Sequence, residues 1–485
     1  MNHHPVLPKA ALTVALGLLL GSAQAGAQSI DSGNASPVAP LSQAELSALI
    51  RQQAQQIRQL EVRLRALEGG SPAAASAAPA VPATDAPALE ARVAALESGQ
   101  AKAPKVSWSK GAPEFSNADG SATFRPRGRL FVDGSSTSGS SAGDRNLSGT
   151  EIRSVRLGAE GRYGILGWAV EGDFADNEVA WKSVYATVDH RAFGLPADLT
   201  IGNRLNDRGI DGSSSTSNTP FQDRNVVGTL VLPQRGLFGV GLTERVYGKG
   251  WHASLSVAGN DLNNAGSDND SLTWATRAHW NPLARQDAVV HLGAWAFHEE
   301  IAAGASGVLR SSAIAGHFND LVKIAPGTLA GAERSTAYGL EAAGFFGPAW
   351  ATGEWGTRNL RGVGTASRYD LDHQAWAVSA GWFLGGAVPA YAGKTGTWGR
   401  VKVNDPVTAG GRGAWELKAR YEDVDYAELP TGGTGHAWTV GANWYLNDLS
   451  RIMLDVVRWQ TDNRSGAVQG PDKGTTVNTR FQVAF

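Results

Sequence analysis

The chain has 485 residues, a formal net charge of -2 and no cysteine. The near-neutral charge argues against a nucleic-acid partner, which needs a strongly basic face. The missing thiols exclude a disulfide framework, a thiolate metal site and a cysteine nucleophile.

Glycine (60) and tryptophan (16) are abundant and methionine (2) is scarce, a balance suited to twisted strands, tight turns and membrane interfaces. Residues 1–25 read as a secretory signal. His3, His4 and Lys9 precede an apolar run from Ala10 to Leu20, and small residues follow, with Ala23-Gln24-Ala25 or Ala25-Gly26-Ala27 as candidate cleavage sites. Residues 41–68 carry a coiled-coil pattern. Ile50, Ile57 and Leu64 recur every seven residues, and Leu46, Gln53, Leu60 and Leu67 form a second such series. An oligomerising periplasmic stalk is favoured over a helix packed on its own domain, because an Ala/Pro/Ser-rich linker (69–105) follows it and offers no core.

From 106 to 485 no stretch approaches the ~20 unbroken apolar residues of a spanning helix. Alternating segments take its place. In Gly413 to Glu422, Trp415, Leu417, Ala419 and Tyr421 oppose Glu416, Lys418, Arg420 and Glu422. From His436 to Leu446, Trp438, Val440, Ala442, Trp444 and Leu446 share one face. Between Leu272 and Trp280, Leu272, Trp274, Ala278 and Trp280 oppose Arg277 and His279. Aromatic residues stand near both ends of each apolar face, as in a lipid-facing strand. The chain ends on TTVNTRFQVAF, with Val477, Thr479, Phe481, Val483 and Phe485 on one face. A last strand so bare is expected to close a barrel and remove the edge. About sixteen such segments predict an all-β, 16-stranded antiparallel transmembrane β-barrel with an N-terminal periplasmic coiled-coil helix. Arg451 to Trp459 and Val179 to Val188 do not divide cleanly into faces.

A barrel of that size leaves an aqueous channel. Arg125, Arg127 and Arg129 line one side of the first segment at spacing two. Arginine suits oxyanions, because its planar fork stays charged and pairs in two places at once. Against an electropositive ladder stands ordinary charge balance by Glu160, Glu171, Asp173, Glu416 and Glu422. The loop from Arg208 to Arg224 is rich in hydroxyls, with an arginine at each end. It reads either as an external loop or as a constriction folded inward.

These segments carry a resemblance. GRLFVD (Gly128 to Asp133), IGNRLNDRGI followed by FQDRN (Ile201 to Asn225), GAWELKARY (Gly413 to Tyr421), VGANWYLND (Val440 to Asp448) and the terminal RFQVAF resemble the phosphate-selective porins of the O and P type. The resemblance implies a homotrimer in the outer membrane of a Gram-negative bacterium, with an inward loop holding a site for phosphate or another small oxyanion. By position, Arg129 and Arg153 match strand arginines of that site, Ser215 and Thr216 its hydroxyl pair, and Arg224 the arginine closing the loop. Two cationic positions of the family are neutral here, Ser154 and Gly212. Weaker binding and a broader choice of anion follow, with Arg125, Arg127, Arg204 and Arg208 as compensating charges.

A passive oxyanion channel is therefore expected, touching outer-membrane lipid, with no metal or other cofactor. A general anion porin and a structural barrel anchoring the envelope are the alternatives. An enzyme is not expected: there is no His-Glu-x-x-His and no phosphate-cradling Gly-x-x-x-x-Gly-Lys-Ser/Thr loop. His291 and His298 are spaced for neither one strand face nor one helix turn.

Overall fold

A computed structural model describes residues 104–108, 111–263, 272–305, 308–364 and 367–485. The expected signal segment, the coiled-coil helix and nearly all of the linker lie outside the described residues. First among the described residues come two short paired strands, Lys105–Ser107 and Glu114–Ser116, the second of which pairs with the first strand of the barrel.

Sixteen antiparallel strands follow. They are β1 (Ala122–Ser138), β2 (Ser148–Tyr163), β3 (Leu166–Asp173), β4 (Ala180–Ala192), β5 (Leu195–Leu205), β6 (Phe238–Gly248), β7 (Trp251–Ala258) and β8 (Leu272–Ala284). The second half comprises β9 (Ala288–Glu300), β10 (Ala332–Phe346), β11 (Ala349–Val363), β12 (Arg368–Gly385), β13 (Ala414–Asp425), β14 (Thr434–Tyr445), β15 (Ser450–Asn463) and β16 (Gly470–Ala484). Each pairs with its neighbour in sequence. β16 also pairs with β1, Val477 opposite Ser136 and Val483 opposite Leu130, so the sheet closes. Gly128 and Phe485 seal the seam by exchanging backbone hydrogen bonds of 3.1 and 2.9 Å. The last strand does what its alternation predicts.

Alternation sorts the side chains. Trp438 and Val440 are 56 % and 60 % exposed, while Thr439 between them is 2 % exposed. Trp415 and Leu417 face out, and Glu416 and Lys418 face in. The exposed belt continues through Leu130, Ile201, Leu255, Trp280, Leu340, Trp376 and Phe481. A belt of apolar side chains this extensive suits a bilayer, and a closed ladder pairs the strands within it. Among the described residues no helix is long and apolar enough to cross a membrane; the crossing is made by strands.

One end of the barrel carries short turns and Phe485, and the other carries longer loops. Three segments pack against the inner wall. The first, between β5 and β6, holds helices α1 (Ile210–Ser213) and α2 (Val226–Leu230). The second, between β9 and β10, includes Ile314, Val322 and Ile324. The third, residues 386–413 at the short-turn end, forms a small hairpin pairing Tyr391 with Trp398. Their apolar residues bury against inward side chains of β9 to β15. Val226, Val227 and Leu230 join one cluster with Trp295, Leu360 and Trp459. Ile210 and Phe221 join another with Phe345, Trp350 and Trp398. These segments thus cover much of the inner wall from β9 to β15, and open space remains along β1 to β5 and beside β13 to β16.

Candidate functional site

Arg125, Arg127 and Arg129 share the inner face of β1, but their partners differ. Arg125 forms an ion pair with Glu160. Arg127 pairs with Glu160 at 3.0 Å and with Glu171 at 2.9 Å. Arg129 has no carboxylate within ion-pair distance among the described residues. Its Nε donates to Ser154 Oγ at 2.9 Å and its Nη1 to Thr216 Oγ1 at 2.8 Å. The guanidinium lies over the Phe131 ring, 4.6 Å from its centroid, a stack that fixes a planar cation.

On β2 a bulge decides the geometry. Phe131 pairs with Ser154 and Val132 pairs with Ile152, so Arg153 is the extra residue. A bulge places two residues opposite one and re-aims a side chain; Arg153 and Ser154 consequently both face inward. Arg153 Nη2 stands 4.0 Å from Asp223 Oδ1. Ser154 Oγ donates to Asp173 Oδ2 at 2.9 Å while accepting from Arg129. Arg156 bridges Glu171 and Asp173 at 3.0 and 2.9 Å.

The segment 206–237 is held by buried polar groups of the opposite wall. Glu354 accepts from the Asp211 amide and from Asn225 Nδ2, both at 2.9 Å. Gly209, at φ +64°, carries the chain past that carboxylate, where a Cβ would meet Glu354 Oε2 at 3.0 Å. Asn225 caps α2 by accepting from the Gly228 amide. Glu422 accepts from the Val226 amide at 2.8 Å, and Lys418 Nζ donates to Pro220 O at 2.7 Å. Trp398, from the hairpin, donates through its indole to Asp211 Oδ1 and through its amide to Ser214 Oγ, both at 2.8 Å.

This scaffold sets the loop residues. Arg224 donates to Asp211 O at 2.9 Å and to Ser214 O at 2.6 Å. Burial lowers its pKa to about 10, which leaves it charged at neutral pH. Ser215 Oγ contacts Ser217 Oγ at 2.8 Å, whereas Thr216 meets Arg129.

All seven residues singled out in the sequence, Arg125, Arg127, Arg129, Arg153, Ser215, Thr216 and Arg224, line one cavity of about 470 Å³. A second cavity of about 240 Å³ is lined by Gln222, Asp223, Arg420 and His317, among others. Arg153, Thr216 and Arg224 line both, so they stand at the junction. Gly212 is buried in α1 and Ser154 is fully buried, so neither opens onto the larger cavity. Lys182, Arg400 and Asp223 also line these spaces and were not singled out. Lys182 sits at a pairing irregularity between β3 and β4, inside one of the segments whose faces do not separate by pattern. Asp223 lies within FQDRN. Nothing local marks Arg400.

A sequence model of the phosphate-selective porin O and P family matches residues 124–485. An uncharacterized protein of Caulobacter vibrioides is 28% identical over 425 residues, covering 82% of this chain and 81% of that protein. Porin O of Pseudomonas aeruginosa is 28% identical over 160 residues, 31% of this chain and 35% of that one. Among solved structures, an anion-selective porin from Comamonas acidovorans superposes with a TM-score of 0.46 at 14% identity, covering 75% of this chain and all of the other.

Proposed function

The chain belongs to the phosphate-selective porin O and P family, and from that premise we propose that it is a passive outer-membrane channel for phosphate or related small oxyanions. In this reading the segment 206–237 is the constriction, and the junction formed by Arg153, Thr216 and Arg224 beside Arg129 is where the anion sheds most water. The observation that carries the reading is that Arg129 and Arg224 meet hydroxyls and carbonyls but, among the described residues, no carboxylate within ion-pair distance. Their charge is available to a passing anion. Arg125 and Arg127 are largely neutralised by Glu160 and Glu171 and serve as a weaker second step. Several moderate sites suit conduction better than one tight one, because the anion must also leave.

Ser154 in place of a cation supports a looser site than the family pattern implies. A general anion porin without phosphate preference is therefore the second reading. The short-turn end would face the periplasm. The signal at 1–25, the coiled-coil stalk at 41–68 and a homotrimer complete the proposal. The test is chloride conductance of the full chain in a planar bilayer with phosphate added as competitor. Graded block by phosphate is expected. Anion preference without block would favour the general porin.

A further inference from the structure

Asp223 is an unusual neighbour for an anion path. Its side chain is 32 % exposed in the smaller cavity, next to the three residues that form the junction. Other acids lining these cavities are held by donors. Glu160, Glu171 and Asp173 accept from arginines, Glu422 from the Val226 amide, and Asp455 from the Gln222 amide while forming an ion pair with Lys418. The Asp223 carboxylate accepts no hydrogen bond among the described residues, and the nearest cation, Arg153 Nη2, stays at 4.0 Å. The backbone here is nonetheless fixed. Arg420 Nη1 donates to the Asp223 carbonyl at 3.0 Å, and Arg480 Nη1 donates to the carbonyl of Gln222. Burial alone would raise the carboxyl's pKa, but the guanidiniums of Arg480 and Arg153 outweigh it and hold the pKa below its ordinary value. The result is a fixed, ionised acceptor with vacant lone pairs, beside arginines that attract anions.

A bare carboxylate repels any anion drawn to Arg153 and Arg224, unless that anion brings a proton. Hydrogen phosphate and sulfate have the same shape and, at mildly alkaline pH, the same charge. They differ in one O–H. The arginines cannot tell them apart, but a carboxylate can: one anion donates a charge-assisted hydrogen bond to it, and the other presents lone pairs to lone pairs. We propose that Asp223 is the specificity-determining residue of the junction, selecting oxyanions that carry a proton over fully deprotonated ones. This deepens the channel reading and rests on it. The plainer role, a counter-charge for Arg153, would weaken all anions alike.

The experiment measures block of chloride current through the full chain by phosphate and by sulfate, separately, at mildly alkaline pH. Wild type is expected to be half-blocked by phosphate at roughly tenfold lower concentration than by sulfate, the worth of one hydrogen bond to a charged group. In Asp223→Asn the two concentrations should converge, mainly because sulfate block strengthens. Arsenate, which keeps a proton, and selenate, which does not, should repeat the wild-type ratio without any substitution. Equal block in wild type, or equal strengthening of both anions in Asp223→Asn, would overturn the proposal. The zero-current potential recorded on the same channels separates the two levels: cation preference in wild type would sink the channel reading itself, whereas anion preference with no phosphate–sulfate difference would sink only the role of Asp223.

Discussion

Replacing Arg129 by glutamine removes a positive charge from the cavity while leaving room for a hydrogen bond to Ser154 or Thr216, now 2.9 and 2.8 Å from the guanidinium. Arg129 has no carboxylate partner, so its loss is not offset by a freed acid. An oxyanion about 5 Å from that guanidinium gains about 3 kcal/mol at an effective dielectric near 20. Water in a cavity of about 470 Å³ screens part of this, so about 1–2 kcal/mol is the realistic loss, or roughly five- to thirtyfold in affinity. The assay is phosphate block of chloride current in single channels at low and at high ionic strength. Arg129→Gln should raise the half-blocking concentration by about tenfold at low salt, with a smaller effect at high salt. Unchanged block at low salt would refute the view that the unpaired arginines hold the anion.

Other substitutions test other parts of the account. Glu160→Gln frees Arg125 and Arg127 from their shared carboxylate and should shift the zero-current potential further toward anion selectivity. Glu354→Ala leaves the Asp211 amide and the Asn225 side chain without their acceptor, a loss of about 1–3 kcal/mol each. Faster proteolysis within 206–237 and noisier current are expected, with barrel migration on gels unchanged. Trp398→Ala should loosen the same segment from the other end, since its indole and amide bind Asp211 and Ser214. Gly128→Leu would place its Cβ 2.8 Å from the Phe485 ring and 3.0 Å from Arg156 O; slower barrel closure, followed as heat-modifiable gel mobility, is the readout.

Much of this architecture is legible in the sequence because a bilayer imposes a strict two-residue period on the outer face. The segments around Trp415, Trp438 and Phe481 follow it. The inner face obeys no such rule. On β15, Ile452, Leu454 and Val456 point outward and are exposed as alternation requires, but Met453, Val457 and Trp459 on the inner face are apolar too, and buried. Trp459 and Val457 cover Ile314, Val322 and Ile324 of the segment before β10. A strand apolar on both sides has no readable period, which is why Arg451 to Trp459 did not divide. The bulge at Arg153 was invisible for a different reason. It depends on the register between β1 and β2, which no single segment contains, and it alone explains how consecutive residues, Arg153 and Ser154, share a face. The arginines of β1 were identifiable by spacing. Which of them keeps its charge was not, because Glu160 and Glu171 reach them from β2 and β3.

The central claim is that the unpaired guanidiniums of Arg129 and Arg224 set the sign of the ion that passes through a barrel whose formal charge, over the whole chain, is only -2. The zero-current potential of the purified full chain in a potassium chloride gradient addresses it most directly. A potential of the sign set by chloride, diminished in the Arg129→Gln and Arg224→Gln double variant, is the predicted result. A potential set by potassium, or one that the double variant leaves unmoved, would contradict it.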